Sequence, residues 1–126
     1  MNVKDLKEVV KEKYGSIAKQ SLSNDKIKSS CCGTSSCCEK IEFSMIGDDY
    51  NTVEGYNPDA DLGLGCGLPT QFANLKTGDC VLDLGSGAGN DCFVARAIVG
   101  ETGKIVGLDF TDMMVAKAIE NNRKLG

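Results

Sequence analysis

Val81-Leu82-Asp83-Leu84-Gly85-Ser86-Gly87-Ala88-Gly89 is the stretch from which the fold is read. Its first four residues are three apolar side chains and one acid, the length of a short strand buried in a parallel sheet. Glycines at alternate positions then end the strand, and Phe93, Val94, Ala97 and Ile98 follow at helical spacing. Strand, glycine-rich turn and helix in this order form a cradle for a nucleotide-like ligand. Glycine is required there because a Cβ holds a ligand away from the backbone and because the turn uses positive φ.

The residues around the turn separate two ligand classes. A dinucleotide turn reads G-x-G-x-x-G/A, whereas this one reads G-x-G-x-G from Gly85, with Asn90 in the sixth position. Asp83 stands two residues before Gly85, where a carboxylate attracts an ammonium group and repels a pyrophosphate. Lys104–Asp109 reads as the next strand and ends in an acid 24 residues past Gly85, close to the spacing of the acid that binds ribose hydroxyls. Met113 and Met114 open the following helix and offer apolar cover to an adenine ring. This pattern points to S-adenosylmethionine rather than NAD as the cofactor, bound through Asp83, Gly85, Gly87, Gly89, Asp109 and Met114. An ordinary strand–helix–strand unit with no ligand would leave both acids without a role.

The 126 residues suffice for one domain, and the net charge of −4 is spread without a basic patch, which speaks against a nucleic-acid partner. No apolar run reaches the length of a membrane span, and the Lys- and Glu-rich N-terminus does not resemble a signal peptide. The expectation is a cytoplasmic protein with a small-molecule substrate and no membrane partner. In that reducing setting the 7 cysteines are thiols rather than a disulfide framework. With no histidine in the chain, proton and metal chemistry falls to thiols and carboxylates.

Val3, Leu6, Val10, Tyr14 and Ile17 recur at spacings of three and four and predict an amphipathic packing helix over 3–18. Residues 21–39 are polar and aperiodic and read as a mobile loop carrying Cys31, Cys32, Cys37 and Cys38. Residues 41–62 are mixed, with room for one short helix and a turn at Asn57-Pro58. The Gly63–Pro69 segment is too glycine-rich for regular structure, and 70–75 suits a short helix. Strands at 80–84 and 104–109 and helices at 90–99 and 112–125 follow, the last capped by Thr111 or Asp112. The fold class is therefore α/β: a partial Rossmann-like β-α-β-α unit over 76–126, preceded by an N-terminal region, 1–75, with a helix, a Cys-rich loop and a Gly-Cys-Gly segment. Two parallel strands make a poor sheet alone. The sequence thus reads as part of a longer enzyme, or as a chain that completes its sheet by self-association.

Cys66 is flanked by Gly65 and Gly67, which cannot shield it, and so reads as a working ligand or nucleophile on a flexible hinge rather than a tolerated small residue. The Cys-Cys pairs suit a soft thiophilic ion. Four thiolates from Cys31, Cys32, Cys37 and Cys38 could instead hold zinc, although their spacing departs from C-x₂₋₄-C, and Cys37 and Cys38 equally suit a loop without function. Cys80 and Cys92 read as packing residues.

Residues 10–18 (Val-Lys-Glu-Lys-Tyr-Gly-Ser-Ile-Ala), Cys31-Cys32, Leu62–Pro69, Val81–Phe93 and Val106–Met114 together resemble the S-adenosylmethionine-dependent arsenite methyltransferases. The pairing of Gly-Cys-Gly-x-Pro with Asp-Leu-Gly-Ser-Gly-Ala-Gly-x-Asp-Cys-Phe is the specific part of this likeness; the glycine turn alone says only methyltransferase. The resemblance implies that Cys66 and a cysteine of the Cys31/Cys32 pair handle trivalent arsenic, with Cys66 the catalytic thiol. It also implies that Asp83, Gly85, Gly87, Asp109 and Met114 line the cofactor site, and that arsenite is the substrate with a thiol reductant beside it. Members of the family run on for a comparable length with two more arsenic-binding cysteines, so the resemblance implies that these 126 residues alone are inactive. Asn90 departs from the aromatic residue the family often has there. Arsenic held by thiolates keeps a lone pair that can attack the cofactor's methyl in line, with no general base, which agrees with a chain lacking histidine. Two other functions remain open at this point: a thiol-rich soft-metal or arsenite-binding protein without catalysis, and a methyltransferase for another small substrate, which would leave Gly-Cys-Gly idle.

Overall fold

The computed structural model describes residues 2–22, 49–65 and 67–126. Helix α1 spans Val3–Leu22, a single 3-10 turn spans Pro69–Gln71, and the unit that follows is β1 (Cys80–Leu84), α2 (Asn90–Val99), β2 (Lys104–Leu108) and α3 (Asp112–Leu125). The two strands are adjacent and parallel, in register from Cys80 opposite Lys104 to Leu84 opposite Leu108. This is the β-α-β-α order expected from the Val81–Gly89 reading, with β2 one residue shorter. No helix among the described residues is long and apolar enough to cross a membrane.

The strands sort their side chains by alternation. Val81, Asp83 and Ile105 are half-buried on the face that α2 covers. Leu82, Leu84, Val106 and Leu108 point the other way and stand 59%, 71%, 42% and 57% exposed. Gly107 lets α2 approach β2, since a Cβ there would lie 2.8 Å from Ser86 Oγ and 2.9 Å from Cys92 Sγ.

Two clusters form the core. One joins α1, the 60–64 loop, the glycine turn and α3 through Ala18, Ala60, Ala88 and Met114. The other joins Tyr50, Leu68 and Val94 beneath α2. In the first, small residues let elements approach closely; the second is filled by larger side chains. α1 extends four residues beyond the predicted 3–18, and only its second half packs. Gly15 and Ala18 are buried, with Gly15 against Met113, while Val3 and Leu6 of the predicted stripe are 69% and 49% exposed.

Other expectations need correction. The described part of 41–62 is a series of turns with no helix, although Asn57-Pro58 does turn: Asn57 Oδ1 accepts from Asp59 N at 3.0 Å and its carbonyl from Ala60 N at 3.0 Å. The helix expected at 70–75 is the 3-10 turn alone. Thr111 occupies the N-cap of α3 without a side-chain cap; the Asp109 carboxylate instead takes the Thr111 N–H at 2.8 Å. Cys80 is exposed at the start of β1 and does not pack. The 21–39 loop begins inside α1 with Ser21 and Leu22, and its remainder lies outside the described residues, as do Cys31, Cys32, Cys37, Cys38 and Cys66.

Candidate functional site

A cavity of about 370 Å³ lies over the C-terminal ends of the two strands, where ligands bind in open α/β sheets. Its floor is the glycine turn from Gly85 to Ala88. Gly85 and Gly87 have φ of +79° and +53°, and a Cβ built on either meets nothing within 4 Å, so both leave room that a side chain would fill. Gly89 serves differently: it is the left-handed N-cap of α2, and its missing Cβ makes way for the Phe93 ring. The turn is fixed by its own amides. Gly85 N and Ser86 N donate to the Leu108 carbonyl at 2.7 and 3.1 Å, and Gly89 N donates to Ser86 O at 2.9 Å.

Asp109, Phe110 and Met114 form one wall. Asp109 is a brace as well as a lining residue: Oδ2 accepts from Gly87 N at 3.0 Å and Oδ1 from Thr111 N at 2.8 Å. Each oxygen retains a second acceptor position for a ligand hydroxyl. Met114 is 2% exposed and supplies the apolar surface expected of it. Of the residues assigned to the cofactor from sequence, Gly85, Gly87, Asp109 and Met114 come together in the lining, whereas Asp83 and Gly89 stand outside it.

Asp83 is half-buried on β1, and its Oδ2 accepts from Cys92 Sγ at 3.3 Å. Burial, and then the hydrogen bond to Asp83, push the Cys92 thiol up to about 12. Cys92 is therefore a neutral donor that orients Asp83, and its thiolate is suppressed.

Sequence reasoning missed four lining residues. Val10 and Tyr14 bring α1 to the cavity, so the helix read as packing alone is also a wall. Phe110, 52% exposed, faces it from the far end of β2. Asn90, noted in the sequence only as a departure, lines the cavity with a buried Oδ1 that has no hydrogen-bond partner. A buried acceptor of this kind calls for a donor, and the amino groups of S-adenosylmethionine are donors. With the glycine cradle, the Asp109 carboxylate and the Met114 surface, the residues present fit that cofactor. On the remaining side Leu64 and Gly65 line the cavity, and Cys66 is the next residue in sequence.

Comparison with known proteins agrees with this geometry. Residues 75–126 match a family described as a methyltransferase domain. An arsenite methyltransferase of Halobacterium salinarum is 40% identical over 95% of this chain and 32% of its own length. An arsenite methyltransferase of Aquipseudomonas alcaligenes is 33% identical over 88% of this chain and 29% of its own. A 2-phytyl-1,4-beta-naphthoquinone methyltransferase of Arabidopsis thaliana is 41% identical, but over 63% of this chain and 30% of its own. The chain thus spans about a third of the length of these curated relatives. The likeness to the arsenite enzymes extends through the Gly-Cys-Gly segment and the N-terminal region, well beyond the domain that carries the cofactor turn. On its glycine cradle and on this span of similarity, the chain carries a methyltransferase domain over residues 75–126 and is similar to the arsenite methyltransferases along nearly all of its length.

Proposed function

We propose that the chain takes part in moving a methyl group from S-adenosylmethionine to trivalent arsenic held by thiolates. The observation that carries this reading is the cavity itself. Its floor is a methyltransferase glycine turn, and its rim includes Leu64 and Gly65, directly before Cys66. Residues 76–126 supply the cofactor side, and residues 1–75 supply Cys31, Cys32 and Cys66 as the thiols that receive arsenite, with Cys66 the catalytic one. The cofactor contributes an electrophilic methyl on a sulfonium. The protein's task is then alignment: the glycines admit the ligand, Asp109 and Asn90 offer acceptors, Met114 and Phe110 offer apolar surface, and Val10 and Tyr14 exclude water from one side. No general base is needed, because the acidic protons leave when the thiols bind arsenic. When the arsenic lone pair takes the methyl, S-adenosylhomocysteine would leave and the arsenic would become pentavalent; a thiol reductant would return it to the trivalent state, which suits a reducing compartment such as the cytoplasm. A sequestration protein without catalysis has no use for the cradle.

The test combines calorimetry with product analysis. S-adenosylmethionine is expected to bind the protein, and Cys66→Ser to weaken arsenite binding while leaving cofactor binding and the fold intact. A full enzyme containing these residues is expected to yield methylated arsenic. Methylation of an organic thiol or amine, with arsenite ignored, would overturn the arsenic reading and leave the methyltransferase. The open apolar face of β1 and β2 further supports self-association of this chain as its partner contact. Leu84→Lys, at the 71% exposed position, is expected to shift light scattering toward the monomer.

A further inference from the structure

Tyr50 is 4% exposed, and its hydroxyl lies 2.5 Å from the Gly67 carbonyl oxygen and 2.8 Å from Asp91 Oδ1. A phenol carries one proton. A carbonyl can only accept it, and so can an ionised carboxylate, so the two short contacts need a second proton between them. The only place on this path that can carry it is the carboxyl of Asp91. The chain Asp91 Oδ1–H to Tyr50 Oη, and Tyr50 Oη–H to Gly67 O, satisfies both contacts.

We propose that Asp91 is a positioning residue that donates a proton to Tyr50, and that Tyr50 in turn donates its own to Gly67, tying the Gly65–Gly67 turn to the first turn of α2. The tie joins two regions that the sequence places 17 and 41 residues from Tyr50. The surroundings agree. Tyr50 packs with Leu68 and Val94, and a Cβ on Gly65 would touch its ring at 3.5 Å, so ring and turn fit closely. Burial raises the Asp91 carboxyl above its ordinary range; Asp83 on β1 and Asp61 in the loop before Gly63 raise it further. A Tyr50 hydroxyl donating to an ionised Asp91 would act in the opposite direction. Cys92, beside it on α2, is held neutral.

The tie makes the turn sensitive to protonation. When Asp91 ionises it becomes an acceptor, draws the Tyr50 proton to itself and leaves the Gly67 carbonyl without its donor. Because the fold raises this acid, the contribution of the tie is complete below the ordinary carboxylate range and is lost as pH rises through the raised value. The hydrogen-bond chain needs no ligand. Only its consequence for the turn that carries Cys66 rests on the proposed function.

The experiment is a carbon-13 titration of the Asp91 carboxyl in the full chain without ligand. In the unsubstituted protein its midpoint is expected above the ordinary value near 4; a midpoint at or below that value would overturn the proposal. Tyr50→Phe removes the acceptor of the Asp91 proton and is expected to lower the midpoint by about one pH unit, tenfold in proton affinity. A midpoint that rises or stays unchanged would mean Tyr50 is the donor to Asp91, and the proposal fails. Asp91→Asn retains a donor at every pH. Amide exchange at Gln71 and Phe72, whose N–H groups donate to the Leu68 and Pro69 carbonyls just after the turn, is expected to stay slow and pH-independent in this variant after correction for intrinsic rates, and to become faster in Asp91→Ala. Equal loss of protection in both variants would also overturn it. None of these outcomes depends on whether arsenite is the substrate.

Discussion

Two glycine-rich turns border the same cavity, Gly85–Gly89 and Gly63–Gly67, and they are held by different means. The first is secured largely by backbone: its amides reach the Leu108 and Ser86 carbonyls, and one carboxylate, Asp109, braces Gly87. The second is secured through side chains, with Asp61 Oδ1 accepting from Gly63 N at 3.0 Å and Tyr50 reaching Gly67. Similar composition therefore yields one turn held by the strands and another held at its two ends by the side chains of Asp61 and Tyr50. The first suits a ligand that must be met by a preset surface; the second suits a segment that adjusts.

Substitution can break the contrast. The largest effect is expected from Gly87→Val. It forces a β-branched residue to positive φ, a strain of roughly 1–3 kcal/mol, and fills the cavity floor. Calorimetry is expected to show no S-adenosylmethionine binding, and near-normal affinity would show that the turn is not the cradle. Asp109→Ala comes next. It leaves two amides without their charged acceptor, about 1.5–3 kcal/mol for a bond of this kind. Thermal unfolding is expected several degrees lower, together with a ten- to hundredfold weaker cofactor by the affinity relation. Asn121→Ala tests the link between the regions. This fully buried side chain donates to Ala88 O at 3.1 Å in the first turn and to Asp59 O at 3.3 Å ahead of the second. Its loss is expected to cost about 1–3 kcal/mol in denaturant titration, and Asn121→Asp should not restore it. The smallest effect is expected at Gly63, exposed, with φ +66° and open space around a Cβ. Gly63→Ala should cost about 1 kcal/mol from backbone strain alone, with cofactor affinity unchanged.

The cysteines sharpen the comparison by reactivity. Cys80 is exposed, while Cys92 is pushed up to about 12. Alkylation mapped by mass spectrometry at pH 8 is expected to label Cys80 well before Cys92. The raised thiol adds stability that is complete below the ordinary thiol range and is lost as pH climbs from about 9 toward 12.

The fold was legible where local signals agree. Val81–Leu84, the glycines behind it and the helical spacing of Phe93, Val94 and Ala97 all specify the same strand–turn–helix, and α2 spans the residues read for it. The cofactor wall was half legible. Asp109 and Met114 follow from their distance to the turn, but the approach of α1 depends on Gly15 and Ala18, small residues that carry no periodic signal, so Val10 and Tyr14 could not be placed at the cavity. Tyr50 and Asp91 lie 41 residues apart, and no motif links them. Their pairing comes from chain folding, and no spacing rule reaches it. Thr111 misled because a threonine before a helix is a good cap, yet the Met114 amide that its hydroxyl would take is held by its backbone carbonyl at 2.9 Å.

The packing of α1 has a consequence for how slowly a bound molecule leaves. Val10 and Tyr14 hang over the cavity from a helix anchored at Gly15 and Ala18 and joined to α3 by a surface pair, Lys11 with Asp112 at 4.0 Å. Any guest held under that helix protects it, because by mass action it stabilises only the docked arrangement. Residence time then reports on the lifting of the chain's first helix. Amide exchange along residues 10–18 would slow in proportion to occupancy, so ligand release could be timed from backbone protons that never touch the ligand.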